Sequence, residues 1–235
     1  MEIFNNLLYV KNPLGDIIMY NDKPYYRYMD KIYIPNPPSE LNDIDVSSLS
    51  EIRIKLNGDV IDYDYTKSII KYLIVKSDIK DFDSIIDFGC GGGISADVIK
   101  SMDIKLSSIT GLDLCPLAIK TAINNYREKL LIGEASFFGN NSKINKDDES
   151  IDAIISSFVM HFNIYDSQIN ELYRVLKKEG KIVYNDYVYY KYPGHSKKII
   201  KKLELAGFSV TKYVEEFKIP SENLIKKHLI VTAIK

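Results

Sequence analysis

The residue types best suited to chemistry lie in one glycine-rich stretch, Asp87-Phe88-Gly89-Cys90-Gly91-Gly92-Gly93. This stretch follows a short apolar run and precedes a helical pattern that opens at Ile94. Glycine lets the backbone turn sharply and approach a ligand closely, and the free amides at a helix start can hydrogen-bond that ligand. The order of strand, glycine loop and helix therefore predicts a ligand site, and Asp113, which ends the next predicted strand, strengthens that prediction.

Two classes of ligand compete for this loop. Gly91-x-Gly93-x-x-Ala96 satisfies the dinucleotide fingerprint, and Asp113 follows at about the distance expected of a ribose-binding acid. Asp87, however, places a carboxylate two residues before Gly89, where it would face a pyrophosphate badly and would suit a cationic cofactor. The charge therefore favours a cationic cofactor over NAD.

Alternating helices and strands must position this loop. Helical spacing of apolar residues predicts a helix over residues 63–76, and an apolar run predicts a buried strand over 84–88. Further strands are predicted at 108–113, 135–138, 151–155, 181–185, 208–211 and 228–233, with helices at 94–103, 116–127, 165–177 and 196–206. This order predicts an α/β fold, a doubly wound and mostly parallel sheet of seven strands whose last two strands pair antiparallel at an edge. Ligands bind such sheets at the carboxyl ends of the strands.

The first 61 residues differ from the rest of the chain. Prolines 13, 24, 35, 37 and 38 interrupt short apolar pieces, a pattern that predicts short strands and turns rather than long helices. We interpret residues 1–61 as an N-terminal cap or lid segment that packs on an α/β domain formed by residues 62–235.

Composition narrows the classes of function. The chain has 235 residues, 46% of them apolar, and a formal net charge of −1, which gives no electrostatic footprint for nucleic acid or an anionic membrane. Its two cysteines, Cys90 and Cys115, form no metal-binding pattern, and no secretory signal or membrane-length apolar stretch is present. We predict a cytoplasmic protein, monomeric or homodimeric, that acts on a small molecule and binds neither metal, nucleic acid nor membrane.

The glycine loop and the segments after it resemble the class I S-adenosylmethionine-dependent methyltransferases. In that family an acid-x-Gly-x-Gly-x-Gly loop, matched here from Asp87 to Gly93, is followed by a second strand that ends in a ribose-binding acid, matched by Asp113. The resemblance extends over roughly residues 62–235, through segments 139–141, 156–162, 174–180 and 206–208. It implies a Rossmann-like fold with S-adenosyl-L-methionine as cofactor.

The resemblance also implies which residues bind that cofactor. Asn140 stands where the family usually has an aspartate that accepts from the adenine amino group, and its carbonyl oxygen can still accept. A tyrosine before the first strand, here Tyr65, often reaches the amino-acid end of the cofactor. The full implied set is Tyr65, Asp87, Gly89, Cys90, Gly91, Gly93, Asp113, Leu114, Asn140, Asn141 and Ser156.

A second set of polar residues follows the fourth and fifth predicted strands of the sheet, where an acceptor would lie. His161 is the candidate general base, and Asn185 and Tyr187 complete the predicted catalytic group. Asn163 and Asp186 are predicted to bind substrate, together with Tyr26 from the N-terminal segment. For each of them an ordinary structural role, as a turn residue or in packing, is the alternative.

Three functions are compatible with these residues. The first is methyl transfer to an oxygen or nitrogen of a small metabolite by in-line displacement. The second is a cyclase or lyase of the same fold, in which the cofactor's own amine attacks its aminobutyryl carbon, forms azetidine-2-carboxylate and releases methylthioadenosine. The third is a non-catalytic binding or partner-activating module.

Overall fold

The computed structural model describes residues 1–57, 62–188, 195–219 and 224–235. The N-terminal part forms a five-stranded antiparallel sheet in the order β1-β2-β5-β4-β3. Its strands are β1 (Glu2–Phe4), β2 (Leu7–Tyr9), β3 (Ile17–Tyr20), β4 (Lys23–Met29) and β5 (Ile32–Ile34). A 3₁₀ turn at Pro38–Glu40 and helix α1 (Asp43–Leu56) follow.

Helix α1 corrects the sequence prediction for this segment. The five short strands agree with the proline pattern, but a helix of 14 residues was not expected. All five prolines lie before the helix, so they cannot interrupt it. A capping box starts the helix, because Asn42 Oδ1 accepts from the Asp45 amide and the Asp45 carboxylate accepts from the Asn42 amide.

The remaining elements form a seven-stranded sheet in the order β11-β12-β10-β9-β6-β7-β8. The strands are β6 (Ser84–Phe88), β7 (Ser108–Asp113), β8 (Glu134–Phe137), β9 (Ile151–Ser156), β10 (Leu176–Tyr187), β11 (Ser209–Ile219) and β12 (Leu224–Ile234). The helices are α2 (Tyr63–Ser77), α3 (Ser95–Ser101), α4 (Pro116–Leu130), α5 (Asp166–Val175) and α6 (His195–Leu205). The five strands from β6 to β10 run parallel to one another, and β12 pairs antiparallel with both β10 and β11. The predicted doubly wound, mostly parallel sheet is confirmed.

Buried side chains fill both faces of this sheet, as a parallel sheet covered by helices requires. One cluster joins α2, α3 and α4 to the sheet, with Ile69, Leu73 and Ile99 fully buried, and a second joins α5 and α6 to the opposite face. Strand β10 begins at Leu176, five residues earlier than predicted, and its register with β9 shifts between Leu176 and Lys181.

The N-terminal sheet and α1 are tied to each other and to the rest of the chain. Asn6 donates to the Asp45 carboxylate of α1 at 3.0 Å, and Tyr165, at the start of α5, donates to Asp43 at 3.0 Å. Helix α1 therefore lies against the carboxyl edge of the large sheet. The predicted domain boundary at residue 61 falls outside the described residues and stays a prediction.

Candidate active site

The carboxyl ends of β6, β7 and β9 meet beneath helix α1 and enclose two neighbouring cavities. This is a topological switch point, because β6 leads through α3 to β7 on one side and pairs with β9 on the other. One cavity measures about 380 Å³ and the other about 60 Å³. Four residues line both cavities: Ser50, Arg53, Gly89 and Gly91. We call the two cavities together the cleft.

The glycine loop forms the floor of the cleft. Gly91 has a φ of +50°, and a Cβ built on it would meet no other atom within 4 Å, so the space beside it is open. Gly93 has a φ of +77°, and a Cβ there would lie 2.9 Å from Cα of Ala122 in α4. The first glycine leaves room for a ligand and the second allows the loop to pack on a helix.

Asp87 holds the loop from below. Its buried carboxylate accepts hydrogen bonds from the hydroxyls of Ser95, at a short distance, and of Tyr126 at 3.0 Å. Burial raises the pKa of Asp87 to about 6, although both hydrogen bonds oppose that shift. Asp87 does not line either cavity. Its observed contacts anchor the loop and its helix, and the contact with a cationic cofactor stays a prediction.

Asp113 ends β7 at the wall of the smaller cavity. Its two carboxylate oxygens accept from the amides of Gly91 and Cys115, each at 2.9 Å. Burial raises the pKa of Asp113, and the backbone amides and the nearby positive charge of Arg53 oppose this rise. Because each carboxylate oxygen has a second lone pair, the side chain can still accept hydrogen bonds from a diol.

An apolar wall extends from Asp113 and offers a slot of the kind that a planar heterocycle requires. Leu112, Leu114, Phe138 and Ile164 line this part of the cleft. Of the residues predicted for the adenine end, Leu114 is thus at the cleft, whereas Asn140 and Asn141 are exposed and do not line it. Asn140 Oδ1 accepts instead from Ser167 at 2.9 Å.

Arg53 enters the cleft from α1 and was missed by the sequence analysis. It lines both cavities, and its buried Nε has no hydrogen-bond partner among the described residues. Its positive charge also lowers the pKa of Asp113, Tyr28 and Tyr187, although burial raises each of them overall. The only sequence signal was an arginine between two isoleucines. The sequence alone did not show that α1, which carries this arginine, lies over the cleft.

Aromatic rings surround the end of the cleft beyond β9. Tyr28 and Phe162 line it together with Phe158, and the Tyr28 hydroxyl forms a short hydrogen bond to Nε2 of His161. The His161 ring also packs against Tyr187, with ring centroids 5.1 Å apart. The structure therefore brings two predicted catalytic residues together and adds Tyr28, which the sequence analysis missed.

We call the end of the cleft lined by Tyr28, Phe158 and Phe162 the aromatic chamber. The third predicted catalytic residue, Asn185, lies in a buried hydrogen-bond network behind this chamber. Its Oδ1 accepts from the Phe158 amide at 3.1 Å, which leaves Nδ2 facing Nδ1 of His228 at 3.2 Å. Nε2 of His228 forms a short hydrogen bond with the Tyr65 hydroxyl, and burial lowers the pKa of His228 to about 4. Phe158 has a φ of +60°, so the network stabilises a strained turn at the cleft wall.

The remaining predicted residues divide between the cleft and the core. Cys90 and Asn163 line the cleft. Ser156 is fully buried and donates to the Phe88 carbonyl, so it joins β9 to β6. Tyr26 packs in the N-terminal hydrophobic cluster. Asp186 is fully buried beside the aromatic chamber, and burial raises its pKa to about 7.

The part of the chain that the structure describes contains neither a metal-binding cluster nor a membrane-spanning helix. Within residues 1–57, 62–188, 195–219 and 224–235, no three His, Cys, Asp or Glu side chains are grouped so as to hold a metal ion. No helix in the same ranges has both the length and the apolar character needed to cross a bilayer.

Comparison with known proteins shows which proteins share this fold. Residues 86–184 match the model of the methyltransferase domain family. A search of curated proteins found no match. Among solved structures, an S-adenosylmethionine-dependent methyltransferase from Aquifex aeolicus has a TM-score of 0.55 at 18% identity and covers 83% of this chain and 99% of its own.

Two further structures show how widely the fold is used. A possible histamine N-methyltransferase from Thermotoga maritima has a TM-score of 0.55 at 16% identity, covering 80% of this chain and 98% of its own. The [4+2]-cyclase SpnF also has a TM-score of 0.55, at 15% identity, covering 72% of this chain and 80% of its own.

The strand order and the site at its switch point define a Rossmann-like methyltransferase fold. With the domain match over residues 86–184, they support an assignment to the class I S-adenosylmethionine-dependent methyltransferase superfamily. The methyltransferase domain match over residues 86–184 supports the resemblance that the glycine loop suggested, with S-adenosylmethionine as cofactor.

Proposed function

We propose that the protein transfers a methyl group to an oxygen or nitrogen of a small-molecule metabolite. The observation that best supports this proposal is that α1 and β4 cover the cleft. Helix α1 contributes Val46, Leu49 and Arg53 to the cleft lining, and β4 contributes Tyr28. A cleft covered in this way suits a small acceptor better than a surface of nucleic acid or protein. The net charge of −1 also gives no support to a nucleic-acid substrate.

The cleft residues fit S-adenosylmethionine group by group. Asp113 would accept from the two ribose hydroxyls, and Leu114 and Phe138 would contact the adenine. The open space at Gly91 would admit the methionine chain, and the unsatisfied Nε of Arg53 would bind its carboxylate. When bound, this cofactor supplies a methyl group on a positively charged sulfur, which is already an activated leaving group. The protein's task is then to orient the acceptor and exclude water.

The cofactor assignment predicts a specific loss in the variant Asp113→Ala. The substitution removes the acceptor for both ribose hydroxyls and leaves two backbone amides without their partner. We expect S-adenosylmethionine binding to weaken by roughly 2–4 kcal/mol in titration calorimetry. Glu128→Ala, at an exposed position on α4, is the control and should bind normally. Unchanged affinity in the Asp113 variant would show that the ribose lies elsewhere.

The reaction itself is tested by mass spectrometry of the nucleoside products. Purified protein is incubated with S-adenosylmethionine alone and with a filtered small-molecule extract. S-adenosylhomocysteine that forms only with extract supports methyl transfer, and the methylated product then identifies the acceptor. Methylthioadenosine formed without extract would instead support the cyclase or lyase reaction. Binding without either product would favour a non-catalytic module.

A further inference from the structure

Tyr28 and His161 form a hydrogen-bonded pair that joins the N-terminal sheet to the carboxyl edge of the large sheet. Tyr28 lies in β4, and its hydroxyl forms a short hydrogen bond to Nε2 of His161, which follows β9. The two rings pack with centroids 5.7 Å apart, and Phe162 covers both of them. The N-terminal segment therefore places Tyr28, hydrogen-bonded to His161, at this end of the cleft.

The two members of the pair face different spaces. Tyr28 lines the cleft, together with Gly89 and Asp113. His161 is 1% exposed and lines a separate cavity of about 90 Å³ instead. Of the two, Tyr28 is therefore the residue that an acceptor in the cleft would contact, and His161 stands behind it. This arrangement differs from the sequence prediction, in which His161 itself contacts the acceptor.

We propose that Tyr28 is the catalytic residue that takes the proton of an O–H or N–H acceptor, while His161 takes the proton of Tyr28. The proposal rests on the methyl transfer proposed above. The acceptor's lone pair forms the bond to the methyl carbon, the bond from that carbon to sulfur breaks, and its electron pair stays on sulfur. The acceptor's proton moves to the Tyr28 oxygen as Tyr28's own proton moves to Nε2 of His161, which ends as an imidazolium and releases the proton to water.

The surroundings of Tyr28 explain why it needs this partner. Burial and the neighbouring Tyr187 raise the pKa of Tyr28 well above its ordinary value, so it remains a neutral phenol. A neutral phenol can accept a proton only if it gives up its own at the same time. The nearby charge of Arg53 opposes the rise and favours negative charge that develops on the phenol oxygen.

Other charged and titratable groups face the pair from three elements. Arg53 approaches from α1, and Asp186 and Tyr187 approach from β10. Lys198 and Lys202 of α6 line the same small cavity as His161. The two lysines oppose an imidazolium at His161 and so favour return of its proton to water.

The acceptor class follows from the chamber. Its walls are the rings of Tyr28, Phe158 and Phe162 with Val159, and Asn163 adds an amide. Flat apolar surfaces with few polar groups favour an apolar or aromatic small molecule. Because the acceptor atom must offer a lone pair and also carry the proton that the pair removes, it is a hydroxyl oxygen or an N–H nitrogen that keeps its lone pair.

Three single variants separate the proton-transfer role from packing. Tyr28→Phe removes only the hydroxyl. His161→Gln keeps an oxygen that can accept from Tyr28 but cannot carry the proton onward. Tyr26→Phe is the matched control, because Tyr26 lies on the same strand and packs in the N-terminal cluster without lining the cleft.

Each variant is measured in three ways: calorimetric binding of S-adenosylmethionine, formation of S-adenosylhomocysteine with the filtered extract across pH, and nitrogen-15 NMR of the histidine rings. We expect Tyr28→Phe and His161→Gln to lose about 100-fold or more in rate, with cofactor affinity unchanged within threefold. The wild-type rate should fall at acidic pH as His161 becomes protonated, and this fall should disappear in His161→Gln. The Nε2 signal of His161 should shift in Tyr28→Phe and not in Tyr26→Phe.

The measurements distinguish a failure of the proton relay from a failure of the proposed methyl transfer. If the wild type forms S-adenosylhomocysteine and Tyr28→Phe retains its rate within twofold, the proton relay is wrong and methyl transfer stands. If both variants lose cofactor binding along with activity, the pair is structural and the relay is likewise wrong. If the wild type forms no S-adenosylhomocysteine, the proposed function falls and the relay with it.

Discussion

Arg53 places a guanidinium group at the junction of the two cavities, where it lines both of them and its buried Nε has no hydrogen-bond partner among the described residues. A buried donor without a partner carries a desolvation cost, which a bound anion would remove. The same charge lies near Asp113. The residue therefore favours a ligand that presents a diol and a carboxylate together, as S-adenosylmethionine does.

We expect Arg53→Met to weaken S-adenosylmethionine binding by about 1.5–3 kcal/mol, the usual contribution of a hydrogen bond to a charged group. Decarboxylated S-adenosylmethionine, which lacks only the carboxylate, should bind the variant and the wild type alike. Titration calorimetry with both ligands measures the difference. Lys55→Met on the same helix is the control, since Lys55 pairs with Glu51 at the surface. An equal loss for both ligands would mean that Arg53 acts through packing alone.

Helix α1 is the element that turns an open sheet edge into a covered cleft. Its side chains Val46, Leu49, Ser50 and Arg53 line the cleft. Asp45 and Ser48, on the same helix, accept from Asn6 and Asn5 in the turn between β1 and β2. These hydrogen bonds from the N-terminal sheet hold α1 in place, and α1 in turn positions its side chains at the cleft.

The capping box gives α1 a testable contribution to stability. Asn42→Ala removes the side-chain acceptor for the Asp45 amide, and we expect a loss of about 1 kcal/mol in the free energy of unfolding. Asn42→Ser keeps a capping oxygen and should lose little. Urea unfolding midpoints measure both variants. Equal midpoints for Asn42→Ala and wild type would show that α1 is held by its tertiary contacts and not by its cap.

At the scale of the whole molecule, buried ionisable groups make stability depend on pH in two opposite directions. The pKa of Asp186 is raised to about 7, so between pH 4 and 7 the folded chain holds a proton that the unfolded chain has lost. Stability from this group therefore falls as pH rises through that window. His228, with its pKa lowered to about 4, acts in the opposite sense, because the unfolded chain binds its proton first as pH falls below about 6.5.

A single variant isolates the first of these contributions. Asp186→Asn cannot ionise, so its stability relative to wild type should increase as pH rises from about 4 to about 7.5, by roughly 2–4 kcal/mol. Urea unfolding of both proteins at the two pH values gives the difference, and the opposing contribution of His228 cancels in the comparison. Asp147→Asn, at an exposed position, serves as the control. A constant difference between Asp186→Asn and wild type across this range would contradict the raised pKa.

The sequence by itself determined the α/β fold. Alternating helix and strand periods predicted β6 to β12 in order, since parallel neighbours need crossovers, and Gly89 to Gly93 with Asp113 predicted the edge at which a cofactor binds. These signals are local, because periodicity and turn chemistry depend on neighbouring residues only. The same local pattern of prolines led to the wrong expectation for α1.

Only the tertiary structure decided which residues meet at the acceptor end. Tyr26 and Tyr28 lie two positions apart on one strand and both pack against the N-terminal cluster, yet it is Tyr28 that also reaches His161, some 130 residues along the chain. Asn185 and Tyr65, predicted at the site, lie in the network around His228 instead. Contacts of this kind depend on how two sheets and a helix pack against each other. The spacing of residues within one segment does not determine that packing.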